Sequence, residues 1–183
     1  MGPVLHDAVS LRHFAVAGRL DVLQDCHGHR PEPRWTEGIR AEIESAQLTG
    51  EAHCAAILSQ SWLGAPAEPS ASEMADVYRL QVGLNEGRKP PQGDRGEAEC
   101  IYFAEKHGGQ FVTDDNNAYS FAVRRVSLGI GRVIDTIQIL RIAVANGSLT
   151  ATDACGIADE IENAGRSFRP EHRIKRSPAY FRL

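Results

Sequence analysis

"FVTDDNNA", residues 111–118, joins two apolar β-formers to a hydroxyl, two acids and two amides. Phe111 and Val112 read as the end of a buried strand, and the pair Gly108-Gly109 before them closes a helix. Strands do not usually end on adjacent like charges, which repel unless something of opposite sign sits beside them. Asp114 and Asp115 therefore mark this strand end as the place to look for chemistry.

The same punctuation occurs on either side. "PVLHD" (3–7) reads as a short strand ending in an acid, and "GRVID" (131–135) as another short strand. Between and beyond them the apolar residues recur at helical spacing. Leu11, Phe14, Ala15, Leu20 and Leu23 predict helix over 10–26, broken at Gly18. "HGHRPEPR" (27–34) reads as a loop. Ile39 and Ile43 predict a helix over 36–46 with Thr36 as its N-cap. A short helix, and a brief strand near Trp62, are expected over 51–63. Met74, Val77, Leu80 and Leu84 form one face of a helix over 73–87. Further helices are expected over 97–109, 118–129, 136–147 and 150–165, the last opened by a capping box of Thr150 and Asp153. Strands alternating with helices imply a parallel sheet wrapped by helices, whose sites form at the carboxyl ends of the strands. Asp7 and the pair Asp114-Asp115 both fall at such ends.

Bulk properties narrow the classes. A length of 183 residues suits one domain with a real core, and 42% apolar and 24% charged residues is an ordinary globular mixture. The net charge of −4 excludes nucleic-acid binding by bulk charge alone, while leaving room for a local basic patch. No apolar run approaches a membrane span, and "MGPVLHDAVSLRHF" has neither a signal-peptide n-region nor the Ser or Thr of a myristoylation signal. Cys26, Cys54, Cys100 and Cys155 lie far apart with no CxxC pair. That argues against a zinc site and a disulfide framework, and for reduced cysteines in a cytoplasmic protein.

Four acids stand where a cluster would assemble: Asp7 after the first strand, Glu42 on the helix 36–46, Glu97 at the start of the helix 97–109, and Asp115 after the strand 110–113. Clustered carboxylates repel one another unless a hard cation neutralises them, and Mg²⁺ or Mn²⁺ prefers oxygen ligands. Such a pocket suits phosphodiester hydrolysis. Each acid also has a plain structural use. Glu97 complements a helix dipole, Glu42 fits a solvated helix face, and Asp114 and Asp115 fit helix caps.

Several segments together resemble the PIN-domain family. "HDAVSLRHFAVAGRLDVL" is similar to its opening, "WTEGIRAEI" to its second motif, and "RGEAECIYFAEKHGGQFVTDDNNA" to its third and fourth. "IDTIQILRIAVANGSLTATDACGIADEIENAG" resembles the C-terminal helices of its toxin-like branch. The likeness covers roughly 3–63 and 94–170 and is densest over 95–117. It implies an α/β, PIN-like fold: a small parallel sheet of four or five strands flanked by helices, in three layers. One domain over 1–183 would carry a helical insert at about 64–93 and a basic tail at about 166–183. The resemblance further implies a metal-dependent endoribonuclease in which Asp7, Glu42, Glu97 and Asp115 hold Mg²⁺ or Mn²⁺. Asp114 and Glu99 would act as auxiliary acids, and Ser10 and Thr113 as hydroxyls orienting water. RNA would be the substrate. The toxin of a type II toxin–antitoxin pair is one role this implies, with an antitoxin protein and a second copy of the chain as partners. Val9 and Glu97 depart from the family's common pattern, which has a small polar residue and Asp there. Val9 and the insert favour a rival reading, a PIN-like binding module without turnover; a structure-specific DNA nuclease is the other.

Beyond the acids, "HExxH", "GxSxG", Walker A and "GxGxxG" patterns are absent. The tail carries Arg166, Arg169, Arg173, Lys175, Arg176 and Arg182 interleaved with Phe168, Tyr180 and Phe181, a composition suited to RNA phosphates and bases, and equally to an exposed helix end or a segment that pairs with an acidic partner. Arg124 and Arg125 follow the fourth acid and complete the candidate RNA-binding residues.

Overall fold

The computed structural model describes residues 2–85, 94–125, 127–129 and 131–182. Three short strands, β1 (Val4–His6), β2 (Gln110–Val112) and β3 (Val133–Ile134), form a parallel sheet in the order β1-β2-β3. Leu5 pairs with Phe111, which pairs with Val133; His6 pairs with Val112, which pairs with Ile134. One step past this register, the Asp7 amide donates to the Val112 carbonyl at 3.0 Å and the Thr113 amide to Ile134 at 2.9 Å. Asp7, Thr113 and Asp135 thus line up along the carboxyl edge.

The α/β class expected from the sequence is present, with three strands among the described residues where four or five were expected. The brief strand read near Trp62 is a 3-10 turn, Ser61–Leu63. The outer edge of β1 is met by irregular chain instead: the His6 amide donates to the Arg34 carbonyl at 2.9 Å, and Thr36 and Ala67 form an isolated parallel bridge. That satisfies the edge without another strand.

Helices α1 (Ala8–Val16) and α2 (Leu20–His27) are separated at Gly18, whose φ of +64° suits a residue without a side chain. The loop expected from residue 27 starts one residue later, because His27 completes α2 and is buried beside His6, their ring centroids 5.1 Å apart. Helix α3 (Glu37–Leu48) is capped by Thr36, whose side chain accepts from the Ile39 amide at 3.4 Å. Then come α4 (Cys54–Leu58), α5 (Met74–Leu84), α6 (Arg95–Lys106), α7 (Asn116–Val123), α8 (Thr136–Ala145) and α9 (Ala151–Asn163), which opens with the expected Thr150–Asp153 capping box. Helix α6 packs on β1 and β2 and is itself packed by α3 and α5, while α8 packs on α2 and α9.

The tail is part of this core. Phe168 and Phe181 are fully buried, together with Phe14, Phe111, Leu5 and Leu11. Its basic residues are largely engaged within the chain. Arg166 pairs with Glu51, Arg169 with Asp135, and Arg176 with Glu162, while Arg173 donates to the Phe168 carbonyl at 2.7 Å. Among the described residues, no helix is long and apolar enough to cross a membrane.

Candidate metal centre

Asp7 leaves β1 in extended conformation and caps α1, which fixes its carboxylate at the sheet edge. Its Oδ1 accepts from the Ser10 amide at 2.6 Å and its Oδ2 from the Thr113 hydroxyl at 2.5 Å. Thr113 also accepts from the Asp115 amide at 3.0 Å, so one hydroxyl ties the ends of β1 and β2 together. Ser10 turns its own hydroxyl to the Asp7 carbonyl at 3.1 Å. Asp7 is fully buried, and its carboxyl is pushed up to about 6. Burial is the chief cause; the Ser10 and Thr113 hydrogen bonds oppose it and the charge of Asp114 adds to it.

Asp115 caps α7, its Oδ1 accepting from the Ala118 amide at 2.8 Å. Glu42 comes from α3 and Glu97 from the first turn of α6. Both sit well above the ordinary carboxylate range. For Glu42 the causes are burial and then the charge of Asp7; for Glu97 they are burial and then the charges of Glu42, Asp7 and Asp115. The four expected acids therefore share one electrostatic environment. Glu42 Oε1 and Glu97 Oε2 are buried with no hydrogen-bond partner. An orphaned carboxylate oxygen is costly to bury, and a hard divalent cation is the natural partner for such a pair.

Asp114 and Glu99 also tie elements together, and Asp114 Oδ1 is, like the oxygens of Glu42 and Glu97, buried without a hydrogen-bond partner. The Asp114 Oδ2 accepts from the Thr136 amide at 3.2 Å and the Thr136 hydroxyl at 2.5 Å, with His13 Nδ1 3.3 Å away. It ties the end of β2 to the start of α8. Glu99, fully buried, accepts from the Gly38 amide at 2.8 Å and from Arg95 Nε at 2.6 Å, and so locks α6 to the first turn of α3. These two acids hold the elements that carry Asp115, Glu42 and Glu97.

Two glycines let α3 and α6 meet there. A Cβ on Gly38 would lie 2.9 Å from the Gly96 Cα and 2.8 Å from Glu99 Oε2, and one on Gly96 would lie 2.7 Å from Glu42 Oε1. Neither glycine is marked in the sequence as a close contact, although Gly96 stands directly before Glu97. Asp94, Asn85 and Asn117 are also absent from the expected site residues. With Leu84, Ala118, Glu97 and Asp115 they line a cavity of about 130 Å³. The nearness of Asn117 to the acid pair was the available signal.

Among the described residues, three metal-ligating atoms lie within 4.8 Å of one another at Glu51–His53–Cys54 and at Asp135–Glu171–His172, whereas the four acids stand wider apart. Both tighter groups are already neutralised by arginine. Arg12 and Arg166 pair with Glu51, and Arg169 with Asp135 and Glu171. Burial works to raise the Asp135 carboxyl, but the His172 hydrogen bond, the Gln138 amide and the charges of His172 and Arg169 hold it below the ordinary value.

Arg125 is tied to Glu105, while Arg124 is exposed and its side chain makes no hydrogen bond or ion pair among the described residues. Comparison with family models, curated proteins and solved structures gives no match to this chain.

Proposed function

We propose that the chain is a PIN-type, Mg²⁺- or Mn²⁺-dependent endoribonuclease, with Asp7, Glu42, Glu97 and Asp115 as its metal-holding acids. The observation that carries this reading is the pair of buried, partnerless oxygens on Glu42 and Glu97 beside Asp7 and Asp115. The protein gives Glu42 and Glu97 too few donors to favour their ionised forms, so their setting is suited to a cation. A divalent cation bound there supplies Lewis acidity at a phosphodiester and lowers the pKa of water. The chain's own part is to fix the carboxylates. Thr113 holds Asp7 against Asp115, Glu99 holds α3 against α6, and Asp114 anchors the strand end behind them. The expected toxin role, antitoxin partner and second copy rest on the family resemblance alone.

The test is cleavage of RNA by purified protein in Mn²⁺ or Mg²⁺, against EDTA and against Asp115→Asn. Cleavage lost in EDTA and reduced at least about 100-fold in the variant is expected. Cleavage that survives EDTA would rule out the metal mechanism. Metal binding without cleavage of RNA or DNA would leave a PIN-like binding module.

A further inference from the structure

We propose that one face of α7 is the track for single-stranded RNA flanking the cleavage point, with Arg124 holding a phosphate and Asn117 and Ser120 contacting the adjoining nucleotide. The proposal rests on the nuclease reading and assigns its substrate path. Asn117, Ser120, Phe121 and Arg124 fall at i, i+3, i+4 and i+7, one stripe of a helix. They line, with Gly83, Leu84 and Asn85, a cavity of about 350 Å³. The cavity beside Glu97 and Asp115 shares Leu84, Asn85 and Asn117 with it. A single groove thus leads from the acids to Arg124. Seven helical residues span about 10 Å, so Arg124 lies beyond the reacting phosphate but within reach of its neighbours on the same strand.

The chemistry along the groove matches a nucleotide strand. The Asn117 amide, the Ser120 hydroxyl and the Arg124 guanidinium make no hydrogen bond or ion pair among the described residues. They stand beside the half-buried Phe121 ring, an apolar wall for a base. The next arginine is in a different state: Arg125 is paired to Glu105, and its guanidinium lies 5.7 Å from the Phe121 ring centroid. The tail arginines Arg166, Arg169 and Arg176 are paired with Glu51, Asp135 and Glu162. The basic track therefore runs along α7 and not along those residues.

The test is anisotropy of a short fluorescein-labelled single-stranded RNA with the full chain, in Ca²⁺, over a range of salt. Arg124→Ala and Asn117→Ala should each weaken binding by about five-fold or more, and Arg125→Ala should not. Arg124→Ala should also flatten the dependence of log K on log salt by about 0.7, the loss of one phosphate contact to a single strand, and Arg124→Lys should restore it. Unchanged affinity and slope in Arg124→Ala, an equal loss in Arg125→Ala, or no binding by the wild type would each overturn the track. Cleavage is scored separately in Mn²⁺. Arg124-dependent binding without cleavage would sink the nuclease reading and leave the track standing. Cleavage with Arg124-independent binding would do the reverse.

Discussion

Glu42 and Glu97 each bury an oxygen that has no hydrogen-bond partner, and this makes their protonation a property of the fold. Both carboxyls are raised above their ordinary value, chiefly by burial, so the folded chain holds protons that the unfolded chain releases above about pH 4.3. Stability of the metal-free protein then falls as pH rises through the raised values. His27 has the opposite sign. Burial holds it at about 4, so its contribution is lost as pH falls from about 6.5 toward that value. Between about pH 6.5 and 7.5 the acids dominate, because the cysteine thiols that burial raises, Cys26 and Cys100 among them, add to the decline only as pH nears the ordinary thiol value of about 8.5. Urea melts of metal-free protein should therefore show stability declining from about pH 6.5 to 7.5. Mg²⁺ or Mn²⁺ should raise stability more at pH 8 than at pH 6. Glu97→Gln should flatten the decline, raise metal-free stability at pH 8 by on the order of 1 kcal/mol, and lose most of the response to metal. A wild-type curve that is flat above pH 6.5 would show that these acids carry ordinary charges.

Helices α3 and α6 bring Glu42 and Glu97, 55 residues apart in the sequence, to one place, and glycine makes their contact close. Gly38 faces the Gly96 backbone, where an added Cβ would sit 2.9 Å from Cα and 3.0 Å from the nitrogen. Backbone cannot rotate away as a side-chain tip can, so Gly38→Ala forces the helices apart. It should cost about 2 kcal/mol or more in denaturant unfolding, despite alanine's better helix propensity. Because Glu99 accepts from the Gly38 amide, the same variant should also weaken metal binding. A neutral or stabilising effect would show that the crossing has slack. This is also where the sequence stops being legible. The period of 3.6 located α3 and α6, the runs of β-formers located β1, β2 and β3, and the acid at each strand end was visible as charge where a strand stops. Which acid points where was not visible. Asp114 and Asp115 are adjacent and alike in type, yet the extended backbone sends one to Thr136 and the other to the cap of α7. Glu97 reads better than Glu99 as a ligand because it stands at the helix start, but that Glu99 binds the Gly38 amide was not visible.

At the scale of the molecule, the tail folds back so that other segments pair three of its arginines. A run of arginines with interleaved aromatics reads equally as a grip on RNA, an exposed helix end or a segment that pairs with an acidic partner, because composition reports charge but not the partners that other segments supply. Those partners come from far along the chain. Glu51 and Asp135 receive Arg166 and Arg169, Glu162 receives Arg176, and Arg141 lies 4.3 Å from the Tyr180 ring centroid. His172 links Tyr180, at 2.7 Å, to Asp135, at 2.9 Å, and Asp135 caps α8 at the carboxyl end of β3. The tail is thereby pinned to the same sheet edge that carries the acids, and its buried Phe168 and Phe181 fill the core behind α9 and α8. Truncating a fully buried phenylalanine removes its transfer energy and leaves a cavity, so Phe181→Ala should cost about 3–5 kcal/mol. Arg182→Ala, at an exposed neighbour, should change stability by less than about 0.5 kcal/mol. Equilibrium urea unfolding of the two variants decides the matter. If the tail were an independent arm, both would match the wild type. If it is core, Phe181→Ala alone shifts the midpoint, and metal binding at the strand ends weakens with it as the edge that holds Asp135 loosens.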